Sequence, residues 1–203
     1  LSLPAVLGTQ LETIPRNVPY LRADAQRVAD WRPRLHAESA GFQAADTLRV
    51  GIAWQGRTNY RGDRLRSIPL VQFAPLAAVP GVQLFSLQKG PGSEQLPMLA
   101  GQFAVSDLAG MLDLSEGAFL DTAAVMQNLD LVVTSDTAIA HLAGALGVPV
   151  WVALTFAPDW RWLVDREDSP WYPSMRLFRQ RRLGAWSEVF GRMAAELATL
   201  PRR

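Results

Sequence analysis

Four short runs of the chain are almost wholly apolar: residues 48–54, 82–87, 129–134 and 149–154. Each is bounded by polar or glycine-bearing turns. Such runs, rich in Val, Leu and Ile, predict strands buried on both faces. A weaker strand is expected over 103–108. Between them the spacing turns helical. A helical turn is predicted over 70–79, and a short helix capped by Ser93 through Leu99. Asp121 is expected to cap a helix to Asn128, and a further helix covers 137–146 and stops at Gly147. On that last helix Ile139, Leu142, Ala143 and Leu146 form the expected buried stripe, with Thr137, His141 and Gly144 on the opposite side. Residues 156–180 read as loop. Trp186, Val189, Phe190, Met193 and Leu197 then recur at the interval of a final amphipathic helix. Strands alternating with helices predict an α/β protein, a Rossmann-like, mostly parallel sheet with helices on both faces.

The first part of the chain has another texture. Pro4, Pro15, Pro19 and Pro33 interrupt it, a helix is expected over 24–35, and 38–46 read as a loop. Residues 1–45 are therefore taken as connector plus helix, and 46–203 as the Rossmann-like domain.

Length and composition narrow the function. The 203 residues suffice for one sizeable core. A net charge of +1 gives no reason to expect nucleic acid as partner. Cysteine is absent, which removes disulfides and thiolate metal sites, and two histidines are a poor basis for zinc, so no metal site is expected. No apolar run has the length of a membrane span and no signal-peptide pattern is visible, so a cytoplasmic location is expected.

In open parallel sheets ligands bind beyond the carboxyl ends of the strands. That rule selects Trp54-Gln55-Gly56, Gln88-Lys89-Gly90, Ser135-Asp136-Thr137 and residues 155–161. At the third, free amides opening a helix favour a diphosphate, with Thr137 and His141 one turn apart on the same side. Asp136 or Ser135 acting as a simple cap, with His141 bonded in the core, fits the spacing as well. In the second, Lys89 can meet a phosphate and Glu94 can accept sugar hydroxyls, or the segment is an ordinary turn. Arg57, Arg61, Arg64 and Arg66 crowd the loop after the first strand. They suit phosphate binding or a solvated surface. Asp159 and Arg161 can pair with each other, and the tryptophans beside them can pack or stack on a base. Neither a Walker loop nor the G-x-G-x-x-G fingerprint is present.

Residues 121–150, with Asp136-Thr137-x-x-x-His141 followed by Ala143-x-x-x-Gly147-x-Pro149, resemble the C-terminal signature of glycosyltransferase family 9, the ADP-heptose:lipopolysaccharide heptosyltransferases. They are most similar to the branch found after tetratricopeptide repeats in bacterial proteins. Residues 50–56, 63–70, 86–92, 158–162 and 169–173 agree with it. The resemblance implies the C-terminal half of a GT-B enzyme, binding a nucleoside-diphosphate sugar as donor substrate, with no cofactor and no metal. It implies inverting transfer to an acceptor (a glycan, lipid-linked glycan or protein) that the sequence does not identify. Asp136, Thr137 and His141 match the donor-binding motif, Glu94 the carboxylate that holds donor hydroxyls, and Arg66 roughly the basic residue facing the phosphates. Ser135, Lys89, Gln55 and Gly56 complete the expected donor site. Ala138 stands where many members have glycine. The family's general base lies in an N-terminal domain, so no catalytic residue is assigned here. Residues 1–45 are expected to be the tail of that domain, and a face left uncovered by it could pair two copies. A non-catalytic nucleotide-sugar-binding module and a sugar-nucleotide epimerase-like enzyme are the alternative readings.

Overall fold

The computed structural model describes residues 2–38, 47–114 and 117–201. Six strands form one sheet: β1 (Leu48–Ala53), β2 (Val82–Ser86), β3 (Ser106–Asp107), β4 (Leu131–Ser135), β5 (Val150–Leu154) and β6 (Met175–Arg179). Their order is β3-β2-β1-β4-β5-β6, and every pair is parallel. The helices are α1 (Ser2–Val6), α2 (Ala25–Glu38), α3 (Asp63–Arg66), α4 (Ala74–Ala77), α5 (Gln95–Met98), α6 (Leu120–Met126), α7 (Ala138–Ala145) and α8 (Trp186–Leu197). No described helix is long and apolar enough to cross a membrane.

The pleat divides the core in two. Val132, Val150, Val152 and Leu154 point to one face, where α2, α6 and α7 cover them. Val50, Ile52, Leu131, Val133, Trp151 and Ala153 point to the other, beneath α4 and α8. Helix α8 buries all five residues of its expected stripe. Each contributes about 1.5–3 kcal/mol of transfer free energy, enough to fix that helix to the sheet. Helix α2 starts one residue after Asp24, whose Oδ1 accepts from the Arg27 amide at 2.8 Å, and it runs on to Glu38. Its Trp31 and Leu35 enter the first core. The loop expected over 38–46 otherwise lies outside the described residues.

Several local expectations are corrected. Ser93 does not cap α5. Its hydroxyl donates to the Gly90 carbonyl at 2.8 Å, and the helix begins at Gln95. Asp121 does not cap α6 but lies in its first turn. The cap is Asp113, whose Oδ1 accepts from the Asp121 amide at 2.6 Å and whose Oδ2 accepts from the Thr122 hydroxyl at 2.6 Å. Asp121 instead ties α6 to α2, accepting from Arg27 at 3.0 Å and the Trp31 indole at 3.2 Å. Burial pushes its carboxyl up, yet the bonds from Trp31, the Asp113 amide and Arg27 hold it below the usual range. On α7 the small residues Ala140, Ala143, Gly144 and Ala145 are buried, while Ile139 and Leu142 are only half-buried. Gly144 faces the Tyr172 ring, which would lie 2.5 Å from an added Cβ. The stretch read as loop after Phe156 contains β6.

Candidate functional site

Crossovers from β1 and β4 leave toward opposite faces of the sheet, so the loops beyond these two central strands diverge. A crevice opens where they part. It is a cleft of about 720 Å³, within the size range of small-ligand sites.

One wall is the turn after β1, held by Gln88. The Gln88 Oε1 accepts from the Trp54 and Gln55 amides at 2.9 and 3.0 Å. Its Nε2 donates to the Gln55 and Pro91 carbonyls at 3.0 and 2.8 Å. Every hydrogen-bonding position of this buried amide group is thus spent on joining the β1 and β2 turns. Trp54, fully buried, donates its indole N–H to the Gly92 carbonyl at 3.1 Å. Gly56 leaves room for Arg66, whose Nη2 an added Cβ would strike. From there Arg66 reaches three partners. It donates to Asp63 at 3.2 Å and to the Asp136 carbonyl at 2.7 Å, and it lies over the Tyr60 ring at 4.3 Å.

The opposite wall is the turn from β4 into α7. Thr137 is extended before the helix, and no side chain caps the helix start. Thr137, Ala138 and Ile139 line the cleft. The Ala140 amide donates back to the Thr137 carbonyl at 3.1 Å, and the Ala138 and Ile139 amides ahead of it open the helix, whose start is electropositive. The floor and outer lip come from Leu87, Phe119 and Thr122.

Beyond Asp136 lies a hydrogen-bonded cluster. His141 stacks on Trp162 with ring centroids 5.4 Å apart. Its Nδ1 is 3.1 Å from the Tyr172 hydroxyl, and its Nε2 accepts from Arg161 Nη1 at 3.1 Å. A guanidinium cannot accept, so the neutral ring carries its proton on Nδ1. Burial, then the Arg161 charge, pushes the imidazole below its ordinary value of 6.5, with Asp136 and Asp159 opposing. Arg161 also donates its Nε to Asp159 at 2.9 Å, the pairing expected from the sequence. The Tyr172 hydroxyl, pushed up by burial and by Tyr20, is 3.3 Å from the Tyr20 hydroxyl. The Tyr20 and Leu21 amides both donate to the Ala145 carbonyl at the far end of α7, so this cluster ties the N-terminal segment to the domain.

Of the residues expected to hold a donor, Gln55, Gly56, Arg66, Lys89 and Thr137 line the cleft. Asp136 stands at its lip, tied through its carbonyl to Arg66. Ser135 is buried beneath, its Oγ without a partner among the described residues. His141 lies to the side, both ring nitrogens engaged. Glu94 folds back on its own loop, accepting from the Gly92 amide at 2.8 Å, and is not part of the cleft lining. Lys89 donates to the Leu112 and Asp113 carbonyls, so its ammonium also braces the outer lip. Of the arginine-rich loop, Arg57 and Arg66 line the cleft. Trp162 packs in the core, whereas Trp160 is half exposed against the edge of Trp171. Sequence reasoning missed Tyr60, Phe119 and Thr122, and Asp113 from the lip, whereas Gln88 stood in a selected segment without its bracing role being foreseen.

Residues 80–156 match glycosyltransferase family 9 (heptosyltransferase). The chain is 32% identical over 201 residues to the protein FlbA of Caulobacter vibrioides, covering 96% of this chain and 31% of FlbA. Its fold resembles ADP-heptose lipopolysaccharide heptosyltransferase II of E. coli, with a TM-score of 0.61 and 14% identity over 92% of this chain and 56% of that one. The E. coli heptosyltransferase WaaC solved with ADP gives a TM-score of 0.53 at 18% identity, over 78% and 47% of the two chains. The glycosyltransferase family 9 protein of Veillonella parvula gives 0.54 at 14% identity, over 90% and 47%. The chain thus spans under a third of FlbA and about half of these solved structures.

Proposed function

We propose, from the premise that residues 80–156 carry the glycosyltransferase family 9 pattern, that this chain is the donor-binding half of a glycosyltransferase. Its ligand is a nucleoside-diphosphate sugar. The supporting observation is the cleft at the strand-order reversal, where Gln55, Gly56, Arg66, Lys89 and Thr137 converge on an uncapped helix start. That WaaC has been solved with ADP agrees with the choice of ligand.

The nucleoside lies against Leu87, Phe119 and Ile139. The diphosphate meets the amides of the Thr137–Ala138 turn, with Arg66 and Arg57 as cations. Ala138 puts a methyl group where glycine would let the phosphate approach more closely. In the transfer, an acceptor hydroxyl oxygen attacks the anomeric carbon from the side opposite the diphosphate. The carbon–oxygen bond to the diphosphate breaks, and its electron pair leaves with the nucleoside diphosphate, where the helix amides and Arg66 stabilise it. The acceptor proton passes to a carboxylate supplied from outside this domain. No metal enters this scheme. The chain alone therefore binds donor and transfers poorly.

Calorimetric titration with ADP, GDP and UDP tests this reading. One of them should bind, and Arg66→Gln should weaken it by about tenfold or more, the loss of a charge-assisted contact. Binding of none of the three, or preference for a nicotinamide dinucleotide, overturns it.

A further inference from the structure

Gln88 lines the cleft, yet its carboxamide has no position left for a ligand. Its Oε1 receives two donors and its Nε2 meets two acceptors, all at 2.8–3.0 Å. Its backbone amide donates to the Ser86 hydroxyl at 3.3 Å. Disturbing a buried amide of this kind leaves several groups desolvated and unpaired at once. The partners lie on both sides of a seam, Trp54 and Gln55 in the turn after β1 and Pro91 in the turn after β2. Gly92 closes the same seam. It has φ 95°, and a Cβ there would stand 2.8 Å from Gln55 Oε1 and 3.0 Å from the Trp54 indole nitrogen. The indole crosses the seam too, donating to the Gly92 carbonyl.

What the seam carries is the cationic part of the cleft. Directly after Gln55 comes Gly56, against which the Arg66 guanidinium lies. Directly after Gln88 comes Lys89, whose ammonium braces the Leu112 and Asp113 carbonyls of the outer lip. Movement of one turn against the other therefore changes the spacing of Arg66, Lys89 and the lip together. Tight binding of a diphosphate needs these positions fixed before it arrives, because ordering a loop on binding costs affinity.

We propose that Gln88 is the positioning residue of the donor site. It touches no ligand with a free polar group, and its carboxamide holds the Arg66 wall against the Lys89 wall before a nucleotide enters. The inference rests on the donor-binding reading above and adds the residue that sets the width of the cleft.

Gln88→Glu tests it, because the change keeps the shape and exchanges two N–H donors for an oxygen. As a carboxylate, that oxygen faces the Gln55 and Pro91 carbonyls with no proton between them. Burial and the two carbonyls favour the protonated acid, whose O–H can donate to one of them. The turns should separate at high pH and close again as pH falls. Calorimetry with ADP, GDP and UDP at pH 8 and pH 5.5, well below the melting temperature, compares the wild-type 203-residue chain with Gln88→Glu and Gln88→Met. For a diphosphate that wild type binds, Gln88→Glu should be about tenfold weaker at pH 8, the worth of one well-made hydrogen bond, and within about threefold at pH 5.5. Gln88→Met gains no proton and should be weaker by the same factor at both. Arg57, Arg66, Lys89 and Asp113 in the cleft lining, Asp63 on Arg66 and Glu94 on the Gly92 amide are common to all three proteins, so their titration and that of the phosphate cancel in each ratio to wild type. Stoichiometry near one identifies a folded variant. A lower melting temperature with unchanged affinity makes Gln88 a plain core residue and overturns the inference, as does a Gln88→Glu loss that is equal at both pH values. Should neither variant fold, hydrogen exchange in wild type decides. The Trp54 and Gln55 amides and the Gln88 carboxamide should be protected without ligand and change little when the diphosphate is added. Protection that arises only with the nucleotide means that the ligand orders the turns, and overturns the inference. Wild type that binds none of the three diphosphates defeats the donor-binding reading beneath it. Wild-type binding that both substitutions leave unchanged defeats this inference alone.

Discussion

Gly56 lacks a side chain, and Arg66 uses the space. A methyl group there would meet the guanidinium, not open solvent. Gly56→Ala should therefore displace Arg66 from the Asp136 carbonyl and weaken nucleoside-diphosphate binding by roughly the factor for losing one charged hydrogen bond, about tenfold. The melting temperature should move little, because the turn itself is held by Gln88. Calorimetry and a melting curve on the same sample check both halves. His141 permits a pH prediction with a definite sign. Its folded value lies below the ordinary 6.5, so the unfolded chain binds more protons between the two values. Its contribution is complete above 6.5 and declines as pH falls through that value toward the depressed one. Wild type should lose more thermal stability than His141→Gln between pH 8 and pH 5.5. Equal slopes would contradict the imidazole's buried, neutral state. Both residues were recognisable in the sequence as candidates. Their partners were not, because Arg66 folds back on Gly56 within the connection after β1 and Arg161 reaches His141 from the loop beyond β5, and spacing along the chain carries no information about either approach.

At the scale of elements, the apolar runs were legible because strands buried on both faces are uniformly apolar. The sixth strand was not. Met175-Arg176-Leu177-Phe178-Arg179 lies at the sheet edge, where Arg176 can pair with Glu167 and Glu196 while staying partly solvated, so its pattern looks like loop. The stripe on α7 was legible in part, with Ala143 and Leu146 buried and Ile139 and Leu142 half-buried against the core. Close approach to the sheet and to Tyr172 selects alanine and glycine, whereas a hydrophobic pattern favours the largest residues. The start of α6 was legible to within a residue, but the side chain that meets its first donors, Asp113, was not, because a connection that includes Phe119 at φ 73° separates it from the helix. Asp113→Ala should cost about 1–2 kcal/mol, in line with loss of a capping side chain. Denaturant titration measures this. Loosening of Leu112 and Asp113 should also free Lys89, whose ammonium is bonded to their carbonyls.

For the whole molecule, the strand order explains the position of the cleft and sets the sequence in which the sheet can be assembled. The two strands flanking the cleft, β1 and β4, pair in register, Ile52 beside Val133, although nearly half the described domain separates them in sequence. As the polypeptide emerges from a ribosome, β1 and β2 exist well before β4 does. During that interval the nascent sheet presents a bare, apolar margin, the kind of surface that recruits other unfinished chains. Long-range parallel pairing also forms slowly. A fragment ending at residue 128 should therefore be insoluble or lack a cooperative melting transition, whereas the full chain refolds. A soluble, cooperatively melting fragment would show that the N-terminal half needs no such partner. The opening that supplies the binding cleft is thus also a seam that stays unpaired until residue 135 has been made, and only then can β5 and β6 add their edges to the sheet.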